Sequence, residues 1–367
     1  MTFTRIAAVA TAVVGLAAPA VLGAETPRAQ AKPEGLTIRH LDTRLLSDDL
    51  EFGGQRVGGL SGIDYTQGGT SFLAISDNRG ESGPVRAYTL NLPIGADGKL
   101  GEPEFDRLIT LLDANGAPYA PRSVDPESVR WTPNHQGFLY TSEGEAKAGR
   151  AGFIREATLD GAYVRDLPVP DAFTPRLEGG QLVSGIRDNL GFEAMDLARG
   201  ASTVVAVSEN ALVQDGPAAS PEAESPSRLV QLHHATGAVV GEYVYPVDKV
   251  EPGGLPVATG IAEILAVDPG RYLTLERSMV PGTGFTARIY ETSTDGADPI
   301  SGAVSAATKP MSKRLLFDFR ANGIDPQCVE GMTWGPKLSG GARSLVLVSD
   351  NNFGQAGRTA FHLLSVD

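Results

Sequence analysis

Carboxylate side chains recur along this 367-residue sequence at a nearly constant interval. Five similar passages contain them: GLSGIDY at 59, DPESVRW at 125, GFEAMDL at 191, IAEILAV at 261 and CVEGMTW at 328. The third residues of these passages are Ser61, Glu127, Glu193, Glu263 and Glu330, at intervals of 66, 66, 70 and 67 residues. A repeat at a fixed period indicates that one structural unit is used several times.

A second passage follows each of the first ones and ends in another charged residue. These passages are FLAISDN, FLYTSEG, VVAVSEN, YLTLERS and LVLVSDN, and their charged positions are Asp77, Glu143, Glu209, Arg277 and Asp350. Carboxylate oxygens are the ligands that a hard cation such as calcium prefers. Carboxylates gathered in one place raise one another's pKa values, so a cation or an arginine must compensate them. Alternatively, each glutamate accepts hydrogen bonds from loop N–H groups and only links one unit to the next.

The residues around these carboxylates predict strands. Apolar residues alternate after the marker in each first passage, as in Met195 and Leu197, and this is the period of a strand. Each second passage is a continuous apolar run, which is typical of a strand that is covered on both faces. Two more strand-like runs follow in most repeats, for example VRAYTLNL and FDRLITLLD. Each repeat is therefore expected to contain four strands, with no helix outside the leader.

Repeated four-stranded units predict an all-β protein, a β-propeller of antiparallel blades. The last repeat lacks its fourth strand, and the segment LTIRHLDTRLL at 36–46 precedes the first repeat without a partner. We expect this N-terminal strand to close the ring and give five blades, although long loops at 214–227 and 293–309 leave room for a sixth. Antiparallel pairing sets the beginning of one strand beside the end of the next, so the carboxylates should converge at one mouth of the central channel.

The first 24 residues predict a signal peptide. They contain one basic residue, an Ala/Val-rich stretch and small residues before position 25. A membrane anchor is less favoured, because the stretch is interrupted by Pro19 and is barely long enough to span a bilayer. We expect residues 25–35 to be a linker and residues 36–367 to be a single domain, exported to the periplasm or the medium. The single cysteine, Cys328, excludes an internal disulfide.

The charge of the chain limits its partners. Without residues 1–24 it has 30 basic and 44 acidic residues, a net charge of −14. Such a surface repels nucleic acids and anionic membranes and attracts cations. We therefore expect no nucleic-acid partner and no membrane insertion, and we expect a monomer.

The passages, in this order, resemble the phytase-like family, described as "esterase-like activity of phytase". The combination of DPES, GFEAM, LERS and EG…SDNNF is the specific part, and the resemblance covers residues 36–367. It implies an exported propeller related to calcium-dependent phytases, in which calcium binds an anionic phosphoester and helps to activate a water molecule. The implied metal ligands are Glu127, Glu193, Glu263, Glu330, Asp77, Glu143, Glu209 and Asp350.

The resemblance also implies roles for other residues. Arg79, Arg122 and Arg277 could bind substrate phosphate, and the candidates for a catalytic carboxylate are Glu127, Glu193 and Glu330. Ser61 and Arg277 interrupt the ring of acids, and no lysine-rich cluster is present, which disfavours a highly phosphorylated substrate such as phytate.

Three functions remain compatible with the sequence. The favoured one is a metal-assisted phosphoester hydrolase. One alternative is a propeller that is stabilised by calcium and binds a ligand or partner without catalysing a reaction. The other is a sugar-lactonase-like hydrolase. A serine nucleophile is not favoured, because GLSGI around Ser61 lacks the final glycine of a Gly-x-Ser-x-Gly elbow.

Overall fold

The structure is a computed structural model that describes residues 35–66, 68–197 and 202–367. The predicted signal peptide and residues 25–34 of the predicted linker lie outside the described residues. Within these ranges no helix has the length and hydropathy needed to cross a membrane. The only helical elements there are single 3-10 turns, at Ala146–Ala148, Asp171–Phe173, Pro256–Ala258, Arg320–Asn322 and Asn352–Gly354.

The strands of the described residues form five four-stranded sheets and two small hairpins. The chain begins with β1 (Ile38–Leu45) and the hairpin β2 (Glu51–Phe52) and β3 (Gln55–Arg56). Blade 1 contains β4 (Leu60–Tyr65), β5 (Ser71–Ser76), β6 (Arg86–Asn91) and β7 (Glu104–Thr110). Blade 2 contains β8 (Pro126–Trp131), β9 (Gly137–Ser142), β10 (Phe153–Thr158) and β11 (Tyr163–Leu167), and the hairpin β12 (Arg176–Glu178) and β13 (Gln181–Ser184) follows it.

The remaining blades repeat this pattern. Blade 3 contains β14 (Phe192–Leu197), β15 (Thr203–Ser208), β16 (Ser225–His233) and β17 (Val239–Val247). Blade 4 contains β18 (Thr259–Asp268), β19 (Arg271–Val280), β20 (Gly284–Ser293) and β21 (Ser312–Asp318). Blade 5 contains β22 (Cys328–Lys337), β23 (Arg343–Asp350) and β24 (Ala360–Val366), and β1 is its outermost strand.

The ring closes through the two ends of the domain. β1 pairs antiparallel with β24, from Ile38 opposite Val366 to Leu45 opposite Ala360. The predicted five-bladed propeller and its closure by an N-terminal strand are confirmed. Because the first and last strands share one sheet, opening the ring requires breaking a full strand pairing.

Apolar side chains hold the blades together. Five core clusters fill the spaces between successive blades, and each draws its residues from two facing sheets. Between blades 4 and 5, for example, Leu273 and Leu275 pack in one cluster with Leu345 and Leu347. The apolar runs of the second strands are therefore covered on both faces, as their sequence predicts.

The innermost strands are β4, β8, β14, β18 and β22, and each has a register shift near its start. In β14 the shift lies between Phe192 and Ala194, so Glu193 occupies a bulge. In β18 it lies between Ile261 and Glu263, so the residue that corresponds to Glu193 is Ala262. The sequence alignment that matched Glu263 with Glu193 is wrong by one residue. A bulge re-aims the side chain that follows it, so this shift moves Glu263 to a different level of the channel.

One arginine occupies the channel axis and contacts all five innermost strands. The Arg130 side chain is 1% exposed, and its Nε donates to Asp196 Oδ1 at 2.9 Å while its Nη2 lies 2.9 Å from Glu263 Oε2. Its other bonds go to the carbonyls of Ile63 (3.0 Å), Val129 (2.7 Å), Ile264 (3.2 Å) and Met332 (3.2 Å). Burial raises the pKa of Glu263 to about 7. This network fills the centre of the propeller.

Arg130→Met should lower the free energy of unfolding by about 3–5 kcal/mol, because it leaves two carboxylates buried without their counter-charge. The measurement is urea denaturation of both proteins at neutral pH. Arg107→Ala is the control, since Arg107 and Asp160 form an exposed pair worth at most about 1 kcal/mol. Equal losses in the two variants would show that Arg130 does not hold the inner strands together.

Candidate active site at the acidic mouth

Eight carboxylates of the described residues gather at the end of the channel where the innermost strands begin. We call them the acidic cluster. Its members are Asp77, Asp125, Glu127, Glu143, Glu193, Glu209, Glu330 and Asp350. Each of them interacts electrostatically with at least one other member.

Strand order explains how the cluster assembles. Glu127, Glu193 and Glu330 lie near the starts of β8, β14 and β22. The partner strands end at the same mouth, so three acids follow β5, β9 and β15 directly and a fourth is the last residue of β23. These four are Asp77, Glu143, Glu209 and Asp350. The geometric part of the prediction, convergence at one mouth, therefore holds for seven of the eight predicted ligands. Glu263 is the exception and lies deeper, beside Arg130.

The carboxylates come close enough to share an ion. Carboxylate oxygens of Asp125, Glu127 and Glu143 lie within 4.8 Å of one another, and so do oxygens of Glu143, Glu193 and Glu209. Calcium binds oxygens at about 2.3–2.6 Å, so two of its ligands can be no more than about 5 Å apart. Glu143 belongs to both groups and links them.

Glycines allow this close approach. The Gly191 N–H donates to Glu143 Oε1 at 2.9 Å, and a Cβ on Gly191 would lie 2.1 Å from the Glu143 carbonyl oxygen. A Cβ on Gly260 would lie 2.3 Å from Cγ of Glu209. Any side chain at these two positions would push the acid of the preceding blade out of the cluster.

Two arginines compensate part of the negative charge. Arg277 Nη2 lies 3.3 Å from Glu193 Oε1, its Nη1 lies 3.7 Å from Glu209 Oε1 and its Nε lies 3.0 Å from Glu330 Oε1. Arg79 Nη2 lies 2.8 Å from Asp125 Oδ2. We expected Arg277 to bind substrate phosphate, but its guanidinium is engaged by three carboxylates. In the structure it is the internal counter-charge of the cluster.

The negative charge of the cluster that these arginines do not compensate is electrostatically unfavourable. Burial raises the pKa of Asp125 to about 6, that of Glu209 to about 7 and that of Asp350 to about 8. Burial, together with neighbouring carboxylates, also raises the pKa values of Asp77, Glu127, Glu143 and Glu193 well above the ordinary range. The cluster therefore favours the binding of protons or of another cation.

Two oxygens of the cluster have no partner in the described protein. Asp77 Oδ1 and Asp350 Oδ1 are buried and accept no hydrogen bond from the described residues. A buried carboxylate oxygen without a donor is costly, and a cation removes that cost. All the side-chain atoms of the cluster that could bind a metal are hard oxygens, which suit calcium better than a soft metal. The residues at this mouth therefore fit a hard divalent cation.

A recess of about 220 Å³ adjoins the cluster beside Asp125. Three arginines line it: Arg79, Arg122 and Arg150. Arg122 and Arg150 are half-exposed, and both lie against the carboxylate of Glu145. The structure thus brings the predicted Arg79 and Arg122 together and keeps Arg277 apart from them.

Sequence reasoning missed two residues of this site. Asp125 lies two positions before Glu127 in the DPES motif, but the repeat contains at most one matched acid in each first passage, and Asp125 is not at that position. Arg150 lies in the loop between β9 and β10, outside the repeated passages, so the repeat carries no signal for it.

A model of the phytase-like family, described as esterase-like activity of phytase, matches residues 55–353. The chain belongs to this family. The match includes every member of the acidic cluster and the three arginines of the recess. A comparison with curated proteins finds no match.

Solved structures similar to this phytase-like chain are distant in sequence. They include a bifunctional GH43-CE protein of Bacteroides eggerthii, with 12% identity, 83% of this chain and 33% of that chain covered, and a TM-score of 0.40. The periplasmic gluconolactonase of Pseudomonas aeruginosa has 11% identity, 83% and 85% coverage and a TM-score of 0.38. The phytase-like chain thus spans about a third of the first of these proteins. At these scores the likenesses carry no argument about its activity.

The stability of the chelator-treated protein should fall as pH rises from about 4 to 8. The pKa values of Asp125, Glu209 and Asp350 are about 6, 7 and 8 in the folded protein and near 4 in an unfolded chain, so the folded state binds more protons across this window. Raising the pH through the folded-state values therefore removes stability.

The measurement is the pH dependence of the free energy of unfolding in EDTA, for the wild type and for Asp350→Asn. The variant cannot ionise at position 350, so the wild-type value minus the variant value should decrease between pH 4 and pH 8. A difference that stays constant or increases with pH would contradict the raised pKa of Asp350.

Proposed function

We propose that this protein is an exported, metal-dependent hydrolase that cleaves a phosphoester bond in a small anionic substrate at its acidic mouth. The observation that carries the proposal is the acidic cluster, with its unpartnered Asp77 and Asp350 oxygens, beside a recess lined by three arginines. Carboxylates suited to a cation and guanidinium groups suited to a phosphate are the two components that metal-assisted phosphoryl chemistry requires.

The cation that we propose is calcium. The acids that would hold it are Asp77, Asp350 and the group of Glu143, Glu193 and Glu209. When bound, it supplies positive charge that offsets the negative charge of the phosphate and of the cluster. The rest of the reaction depends on residues of the chain.

The arginines of the recess orient the substrate. Arg79 and Arg122, with Arg150, present planar guanidinium groups that can each donate two parallel hydrogen bonds to phosphate oxygens. The Glu145 carboxylate contacts both Arg122 and Arg150. These contacts keep the two guanidinium groups close together before the substrate binds. A recess of about 220 Å³ accommodates one phosphate group rather than several, which favours a monoester over phytate.

Glu127 is the best candidate among the three for accepting the proton of the attacking water. Glu193 and Glu330 both form ion pairs with Arg277, so their carboxylates are already engaged. Glu127 forms no ion pair with a described residue, and one of its oxygens lies within 4.8 Å of an oxygen of Asp125, which lines the recess. Burial and neighbouring carboxylates raise its pKa, which strengthens it as a base.

Glu127→Gln should reduce kcat for p-nitrophenyl phosphate by about 10²–10⁴-fold while calcium binding is kept, because the amide cannot accept a proton. Glu193→Gln should instead weaken calcium binding, since it removes an oxygen from the group that includes Glu143 and Glu209. The measurements are calcium titration by calorimetry and phosphate release, on the chelator-treated protein with calcium restored. Glu102→Gln is the control, because Glu102 is an exposed partner of Arg44.

Three outcomes would contradict the phosphoester proposal. Calcium binding without phosphate release would favour a calcium-braced binding propeller. Turnover of a sugar lactone without turnover of the phosphoester would favour a lactonase. Absence of calcium binding would mean that the acids only link the blades to one another.

We also propose that the protein is exported and monomeric, as the leader-like residues 1–24 and the acidic surface indicate. Expression in a bacterium should yield a mature chain that begins at Glu25 in the periplasm or medium, which N-terminal sequencing and gel filtration would check. A chain that keeps residue 1 after fractionation would refute export by cleavage.

A further inference from the structure

The opposite mouth of the channel holds a second and chemically different cavity. Its volume is about 920 Å³. Residues at or near the ends of the innermost strands surround it as a ring of mostly apolar side chains: Tyr65, Trp131, Leu197, Ala266 and Trp334. Small-molecule sites are usually concave, largely apolar cavities of about 300–1,000 Å³ with a few polar groups, and this cavity has that character.

The cavity is separate from the acidic mouth. Arg130, with its bonds to all five innermost strands, fills the axis between the two ends. Asp196 lies at the floor of the cavity, and its two oxygens accept bonds from Arg130 and from the Ala266 N–H. A ligand in this cavity therefore cannot reach the acidic cluster through the channel.

Most charged groups of the cavity already have partners. Asp64, also on the floor of the cavity, accepts hydrogen bonds from the backbone N–H of Trp131 at 2.9 Å and from the Thr333 hydroxyl at 3.0 Å. Asp268 pairs with Arg271 at 2.8 Å, and Asp295 is exposed to solvent at the rim. Hydrogen bonds therefore engage both oxygens of Asp64, and an arginine pairs with Asp268.

Arg343 differs from these charged groups of the cavity in its contacts. Its guanidinium stacks on the ring of Trp334, with Cζ 3.8 Å from the ring centroid, and it forms no ion pair or hydrogen bond with any described residue. Burial lowers its pKa, although the charge of nearby Asp268 acts in the opposite direction. Stacking holds the guanidinium in place and leaves its N–H edge available for a planar anion.

We propose that this cavity is a second binding site, which takes a small carboxylate that carries a ring. The carboxylate pairs with the N–H edge of Arg343, and the ring lies against the aromatic side chains, among them Trp131, Trp334 and Tyr272. A carboxylate matches the guanidinium fork with two parallel hydrogen bonds, and aromatic walls favour a flat or apolar ring over a linear chain.

The sequence provides a specific probe for this site. Trp131 and Trp334 are the only tryptophans in the chain, and both line the cavity. Tryptophan fluorescence of the mature protein in EDTA therefore reports on this mouth. We expect phenylacetate to cause a saturable change, acetate to cause none, and phenylacetamide, which has the ring without the charge, to bind about tenfold more weakly than phenylacetate.

Arg343→Gln should raise the Kd for phenylacetate about tenfold and leave the Kd for phenylacetamide unchanged. Arg107→Gln, at an exposed pair on blade 1, is the matched control and should change neither value. Glu127→Gln should also bind phenylacetate normally, because Arg130 separates the two mouths. If Arg343→Gln does not fold, Arg343→Lys replaces it, and its point charge should bind phenylacetate more weakly than the fork does.

Each of three results would overturn the proposal. The first is the absence of a saturable change in tryptophan fluorescence with phenylacetate up to about 10 mM, a concentration that would largely occupy even a site with a millimolar Kd. The second is equal binding of phenylacetate and phenylacetamide by the wild type. The third is a folded Arg343→Gln variant that binds phenylacetate as the wild type does.

Discussion

The structure depends on one buried guanidinium. Five innermost strands meet around the axis of this propeller, and carbonyl groups of four of them face the side chain of Arg130. Arg130 donates to carbonyls of four of these strands and to Asp196 on the fifth, and Glu263 balances the charge from blade 4. A planar group with five donors can satisfy so many acceptors at once, and a lysine in its place could not.

This central network also divides the molecule into two mouths of opposite character. Each innermost strand begins among carboxylates and ends among apolar or aromatic side chains, as β8 does with Glu127 and Trp131. If the axis were open, water would connect the two ends and screen the charges of the acidic cluster. Because it is closed, the carboxylates lie in a poorly solvated space, and their pKa values rise. The raised pKa values at this mouth therefore follow from the closed axis as much as from the acids.

Much of the fold could be predicted from the sequence, because each prediction rested on a local pattern. The period of the repeats, the alternation within strands and the unpartnered segment at 36–46 favoured five blades and their closure, and the sheets of the described residues confirmed both. Antiparallel pairing then placed most of the acids at one mouth. Glu263 was misplaced because a bulge adds one residue to a strand, and an alignment that matches residue types places the glutamate where another glutamate stands, although Ala262 occupies that position.

Other residues could not be found in this way. Arg277 stands where other repeats have an acid, and only the folded arrangement brings Glu193, Glu209 and Glu330 to its three nitrogens. Arg150 and Arg343 lie outside the markers of the repeat, and their surroundings come from loops and strands far apart in the chain. Arg130 is one residue in one repeat, without counterparts of its type at the equivalent positions Asp64, Asp196 and Thr333.

The sequence by itself therefore determined the repeated unit, the closing strand and the end of the propeller where carboxylates accumulate, and it favoured five blades over six, because these follow from hydrophobic period and strand direction. Tertiary structure alone decided which charges are paired, which oxygens remain without donors, where the axis is sealed and which arginine of the described residues faces a cavity without an ion-pair partner. Those properties depend on distances of a few ångströms between residues of different blades, and a bulge or a single substitution at the axis changes such distances without altering the pattern along the chain.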